Sequence, residues 1–132
     1  MSNPTDFFDE GMAVALSTNP YDDDFVVRWN GRPIHLCAKE FEGNGTLIAL
    51  DNLLESLKFW NYCVQKTYPE AGSFVKFLLD THGIEEMEDF IRLGDLDDTG
   101  AVVKSNFRSV YGFSFKRAED EWLEFLDNYT GN

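Results

Sequence analysis

The sequence is short of positive charge. Only 11 of its 132 residues are Lys or Arg, against 24 Asp or Glu, which leaves a formal net charge of −13. Binding to nucleic acid needs clustered cations, so a direct nucleic-acid binder is disfavoured, and an anionic membrane surface on the same ground. Cysteine is scarce as well. Cys37 and Cys63 are too few for a disulfide scaffold and read as two small buried hydrophobes in a reducing compartment. No run approaches the ~18 apolar residues of a membrane span. The opening segment, Met1 to Asp6, lacks the basic and then apolar order of a secretory signal. The expected location is cytoplasmic, in a bacterial or phage-infected cell if the chain is the inhibitor that its charge suggests.

Aromatic residues are plentiful, with 12 Phe among them, so the chain has the material for a core and is not a disordered acidic tail. Its length suits a single domain over residues 1–132, and neither a repeat nor a linker interrupts it. Asn3 or Thr5 is a candidate cap for a first helix, in which Phe8, Met12 and Leu16 share a face. Asn30-Gly31 is the strongest turn signal. Both residues tolerate positive φ, which predicts a β-hairpin over about 24–38, with Pro33 at a sheet edge. Lys39 to Gly45 reads as a loop, and Thr46–Leu50 as a third strand or an early helical turn. Helices are expected over about 51–67, with Asp51 as N-cap and Leu53, Leu57, Trp60 and Val64 inward, then over 70–82 and 84–93. A second β pair is expected within about 100–115, where Tyr111, Phe113 and Phe115 alternate. A last helix over about 116–128 turns Trp122, Phe125 and Leu126 inward. The fold class predicted is α+β.

The acids fall in three windows. Residues 1–24 hold six with no base, residues 85–98 hold seven against Arg92, and residues 119–127 hold five with no base. Residues 25–39, by contrast, hold Arg28, Arg32 and Lys39 with no acid, and residues 99–118 hold Lys104, Arg108, Lys116 and Arg117 with none, so the predicted strands are mildly basic. A chain of this mass exposes about 7,000 Å². Evenly spread, the acids would put roughly three on a partner face of about 800 Å². A nucleic-acid mimic needs nearer 6–10, the number of phosphates a DNA binder typically engages. Two windows set side by side reach that number.

Motifs of specific chemistry are few. Asp95, Asp97 and Thr99 with Gly100 resemble the start of a calcium loop, but Asn106 stands where a bidentate Glu is needed, so an acidic turn is the better reading. His35 and His82 lack ligand spacing, and nothing local pairs either one with Cys37 as nucleophile and base. Tyr111 to Phe115 suggests core rather than base stacking, and Gly43-Asn-Gly45 lacks the Lys of a phosphate loop. No cofactor, metal or catalytic residue is expected. The charge pattern predicts a non-catalytic acidic inhibitor, a nucleic-acid mimic on the basic surface of a nuclease or other nucleic-acid-handling protein. A phage anti-defence role, against CRISPR or restriction, stands ahead of an immunity protein for a nuclease toxin or of a structural or regulatory interaction module. The expected contact residues are Asp22, Asp23, Asp24, Glu85, Glu86, Asp89, Asp97, Asp98 and Glu121.

Overall fold

A computed structural model describes residues 3–17 and 26–130. Among these the fold is mostly helical, with seven α-helices and one two-stranded antiparallel sheet, so it is α+β only loosely. The elements are α1 (Asp6–Ala15), β1 (Arg28–Trp29), β2 (Arg32–Pro33), α2 (Ile34–Gly43), α3 (Ser56–Phe59), α4 (Val64–His82), α5 (Ile84–Leu93), α6 (Gly100–Tyr111) and α7 (Phe115–Asn128), with a 3₁₀ turn at Leu50–Asn52.

Helix α4 is the centre. From Thr67 to Leu78 every residue except Tyr68 and Lys76 is buried, so this stretch is enclosed on nearly all sides, as a core helix is. It packs against α1, α2, α5 and α7. The contact with α1 is close because glycines face it from both sides. A Cβ on Gly11 would stand 2.7 Å from Val75 Cγ2 and 2.9 Å from the Ala71 carbonyl oxygen. One on Gly72 would stand 2.4 Å from Val14 Cγ1. Around this seam Phe7, Phe8, Phe74, Phe90, Phe107, Phe115 and Trp122 meet in a run of mostly edge-to-face contacts, such as Phe8–Phe90 at 4.7 Å. Each of these side chains contributes roughly 1.5–3 kcal/mol by leaving water.

Several expectations need correction. The turn of the hairpin forms, with positive φ at Asn30 (52°) and Gly31 (82°), but each strand has two residues, paired Arg28 with Pro33 and Trp29 with Arg32. The expected return strand and the loop after it are instead α2. Ile34, Cys37 and Ala38, at i, i+3 and i+4, bury one side of a helix, and that burial outweighs the β preference of Ile34. Thr46–Leu50 forms no strand. The expected helix over 51–67 is broken into the 3₁₀ turn, α3 and the start of α4, and Pro69 lies inside α4 rather than opening a segment. The second β pair is absent, because Val103 and Phe107 make a helical stripe in α6. Gly112, at φ 81°, ends α6, and Ser114 caps α7 two residues later. The aromatic alternation over 111–115 therefore marks a junction between helices.

Smaller corrections concern which side chains are inside. The buried side of α1 is Phe7, Phe8, Gly11, Val14 and Ala15, while Leu16 is exposed. Cys37 is buried, but Cys63 is exposed at the N-cap of α4. Helices α5 and α7 match the expected spans to within a residue, and Gly83 separates α4 from α5 at φ 90°. No helix among the described residues is long and apolar enough to cross a membrane.

Replacing Gly72 by Ala tests the α1–α4 seam. Helix propensity alone favours Ala by about 1 kcal/mol. Overpacking against Val14 costs about 1–3 kcal/mol, so thermal denaturation should show a lower Tm. Gly43→Ala, where nothing stands within 4 Å of the added carbon, should not lower it.

Candidate functional site

Acids from three separate segments converge at the start of α1. The Asp6 amide donates to Ser56 Oγ at 3.0 Å, and the Ser56 hydroxyl donates to the Leu96 carbonyl at 3.0 Å. Glu55 Oε2 accepts from the Gly100 amide at 2.9 Å, and Trp60 Nε1 donates to Asp6 Oδ2 at 2.7 Å. These bonds tie α1, α3 and the turn over 94–99 into one edge. The turn holds its own acids in place, since Asp98 accepts from the Asp95 amide and Asp95 from the Asp97 amide. Asp6, Glu55, Asp97 and Asp98 therefore stand together, and Lys58, at 4.0 Å from Glu55, is the cation paired there. Adding Asp95 and Asp9, one turn along α1, brings the carboxylates to six, the lower end of what a nucleic-acid mimic presents.

Apolar side chains sit among these acids. Leu57 is 87% exposed, Trp60 46% and Leu96 42%. Leu57 and Leu96 line a cleft of about 110 Å³ with Glu55, Ser56, Asp97, Asp98 and Thr99. Leu57 and Trp60 belong to the stripe expected to face inward. The break between α3 and α4 turns them out, while Leu53 and Phe59 stay buried. The apolar spacing of Leu57 and Trp60 marks this patch in the sequence, but the same spacing also fits a core face.

The expected contact residues divide. Asp97 and Asp98 lie on this edge. Asp22, Asp23 and Asp24 fall outside the described residues. Glu85 and Glu86 occupy the first turn of α5, where carboxylates suit the helix dipole, and Asp89 pairs with Arg92 at 3.0 Å. Glu121 pairs with Arg117 at 3.0 Å on α7. The third window as a whole meets other neighbours: Glu119 and Asp120 pair with Lys116, and Asp127 stands beside Glu42 of α2. Sharing a hydrogen bond with Asp127 lifts the Glu42 carboxyl to about 7. Asp6, Glu55, Leu57, Trp60 and Leu96 were not expected at a contact surface.

The metal and catalytic candidates can be placed as well. Gly100 is the first residue of α6 and Asn106 donates to the Leu93 carbonyl, so the chain from Asp95 does not wrap as a calcium loop. Among the described residues no group of three or more His, Cys, Asp or Glu is placed to hold a metal ion. His35 Nδ1 lies 2.8 Å from Ser73 Oγ, which also accepts from Trp122 Nε1 at 3.0 Å. Ser73 is fully buried, so this serine does not reach a substrate. Burial drives His35 down to about 4, favouring neutral imidazole. Glu70 is also fully buried. Its Oε1 accepts from the Ile48 amide at 2.7 Å while Oε2 has no partner among the described residues, and burial raises it to about 8. No family model matches this sequence, nor does any curated protein or solved structure.

These two groups give opposite pH dependences. The unfolded state binds more protons at His35 between about 4 and 6.5, so its contribution to stability rises with pH there. The folded state binds more at Glu70 between 4.5 and about 8, so that contribution falls as pH rises. Glu70→Gln keeps the acceptor for Ile48. Urea unfolding from pH 5 to 8 should show the variant's stability rising relative to the parent, by at most about 1.4 kcal/mol per pH unit.

Proposed function

We propose that this chain is an acidic, non-catalytic inhibitor that occupies the basic, nucleic-acid-handling surface of a partner protein, an anti-defence protein of the kind phages direct against CRISPR or restriction nucleases. The observation that supports this reading most is the edge where Asp6, Glu55, Asp97 and Asp98 surround exposed Leu57, Trp60 and Leu96. Opposite charge steers encounter and selects the partner, while a small apolar centre supplies the contact that slows release. The edge carries more acids than an even spread would put on one face. An immunity protein against a nuclease toxin would use the same chemistry.

A second reading has its own support. Leu57 at 87% exposure suits an interaction module whose contact is apolar and whose charge serves solubility. Salt separates the two, because attraction between exposed charges is screened while apolar contact hardly responds.

The test is DNA cleavage by a panel of purified restriction endonucleases and CRISPR effector nucleases, with the chain titrated in. Inhibition of at least one enzyme is expected, weakening as salt rises from about 50 to 200 mM. Asp9→Lys combined with Asp97→Lys should weaken it about tenfold or more. Glu85→Lys on α5 should leave it near the parent's. Equal inhibition by the Asp9/Asp97 variant, with unchanged salt dependence, would contradict the reading.

A further inference from the structure

Three of the chain's 11 lysines and arginines come together at one place. Lys104, Arg108 and Lys116 line one cleft of about 320 Å³ with Ser105, Ser114, Phe115, Asp51 and Glu119. The cleft shares no residue with the acidic edge, and its volume lies at the small end of ordinary ligand sites. We propose that it binds a small organic phosphate monoester, with Arg108 as the principal ligand of the phosphate group.

Arg108 is the cation left uncompensated. Lys104 pairs with Asp51 at 2.6 Å, and Lys116 with Asp120 at 2.7 Å and Glu119 at 3.6 Å, whereas the Arg108 guanidinium has no carboxylate partner among the described residues. Part of the negative lining is already engaged, because Glu119 Oε2 accepts from the Leu50 amide at 3.1 Å. A guanidinium presents a planar fork of donors that fits two phosphate oxygens at once.

Two local electrostatic costs point the same way. Lys104 and Arg108 are like charges at i and i+4 on α6, a spacing that weakens a helix. Lys116 and Arg117 stand in the first turn of α7, at the positive end of its dipole, where cations are disfavoured. Their pairs with Asp120 and Glu121 run in the less favourable direction, cation before acid. An anion in the cleft relieves both costs. The same turn offers donors: the Arg117 and Ala118 amides are taken by Ser114, whereas those of Phe115 and Lys116 donate to nothing among the described residues. Free amides at a helix start beside cationic side chains suit a phosphate group. Phe115 gives the cleft an apolar side for the organic part.

Two-dimensional amide NMR of the full chain tests this, with inorganic phosphate, AMP and adenosine titrated separately at constant ionic strength. Phosphate and AMP should shift the Phe115 and Lys116 amides saturably, and adenosine should not. Arg108 is exposed and unpaired, so Arg108→Gln should keep the spectrum elsewhere unchanged while weakening both ligands about tenfold or more. Lys76→Gln, which removes a cation from α4 outside the cleft, should bind like the parent. The proposal is overturned by straight, non-saturating shifts up to about 20 mM phosphate, a range that covers millimolar affinity. Equal affinity in the Arg108 variant, or equal shifts with adenosine, overturns it too.

Discussion

The close approach of α1 to α4 is the contact on which the rest of the arrangement depends. Gly11 lets the first helix down onto Ala71 and Val75, and Gly72 accepts Val14 in return. With backbones this near, Phe7 and Phe8 reach through to Phe59, Phe74 and Phe90, which joins helices far apart in sequence into one core. Packing of this density does not yield by small adjustments, so the position of α1 is fixed rather than approximate.

That fixed position places the acidic edge. Asp6 begins α1, and its amide and carboxylate bind Ser56 and Trp60 because the helix start is carried to α3. Ser56 in turn holds the turn before α6 through the Leu96 carbonyl. Acids distant in the chain become neighbours as a result of apolar packing beneath them, and Leu57 is left outside because the short α3 cannot turn every apolar residue inward, next to Leu96 on the turn before α6. The charge is distributed differently at α6 and α7. There three cations gather beside a helix start, and Arg108 has no carboxylate partner among the described residues, in a chain with carboxylates to spare.

Much of the helical layout is legible in the sequence. Gly83 and Gly94 bracket α5, Trp122 and Leu126 mark the inner side of α7, and Asn30-Gly31 specifies its turn. What misleads is local preference. Val102, Val103, Tyr111 and Phe113 favour strands taken singly, yet the spacing of Val103 and Phe107 lets a helix bury both, and tertiary contact decides. Ile34 to Cys37 is overridden in the same way. At the acidic edge, Asp97 and Asp98 could be named from charge density alone. Asp6 and Glu55 could not, because their adjacency is created by a glycine seam that leaves no trace in local composition. Leu57 and Trp60 differ from expectation for a physical reason: apolar spacing shows that a face exists, not whether anything covers it.

The most direct measurement is hydrogen–deuterium exchange of the chain alone and in complex with whichever nuclease the cleavage assays show to be inhibited. If the acidic edge is the contact surface, protection on binding falls on residues 55–60, on 94–99 and on the first turn of α1. Protection confined to α7 or to residues 84–93, with the edge exchanging as in the free chain, would contradict the account.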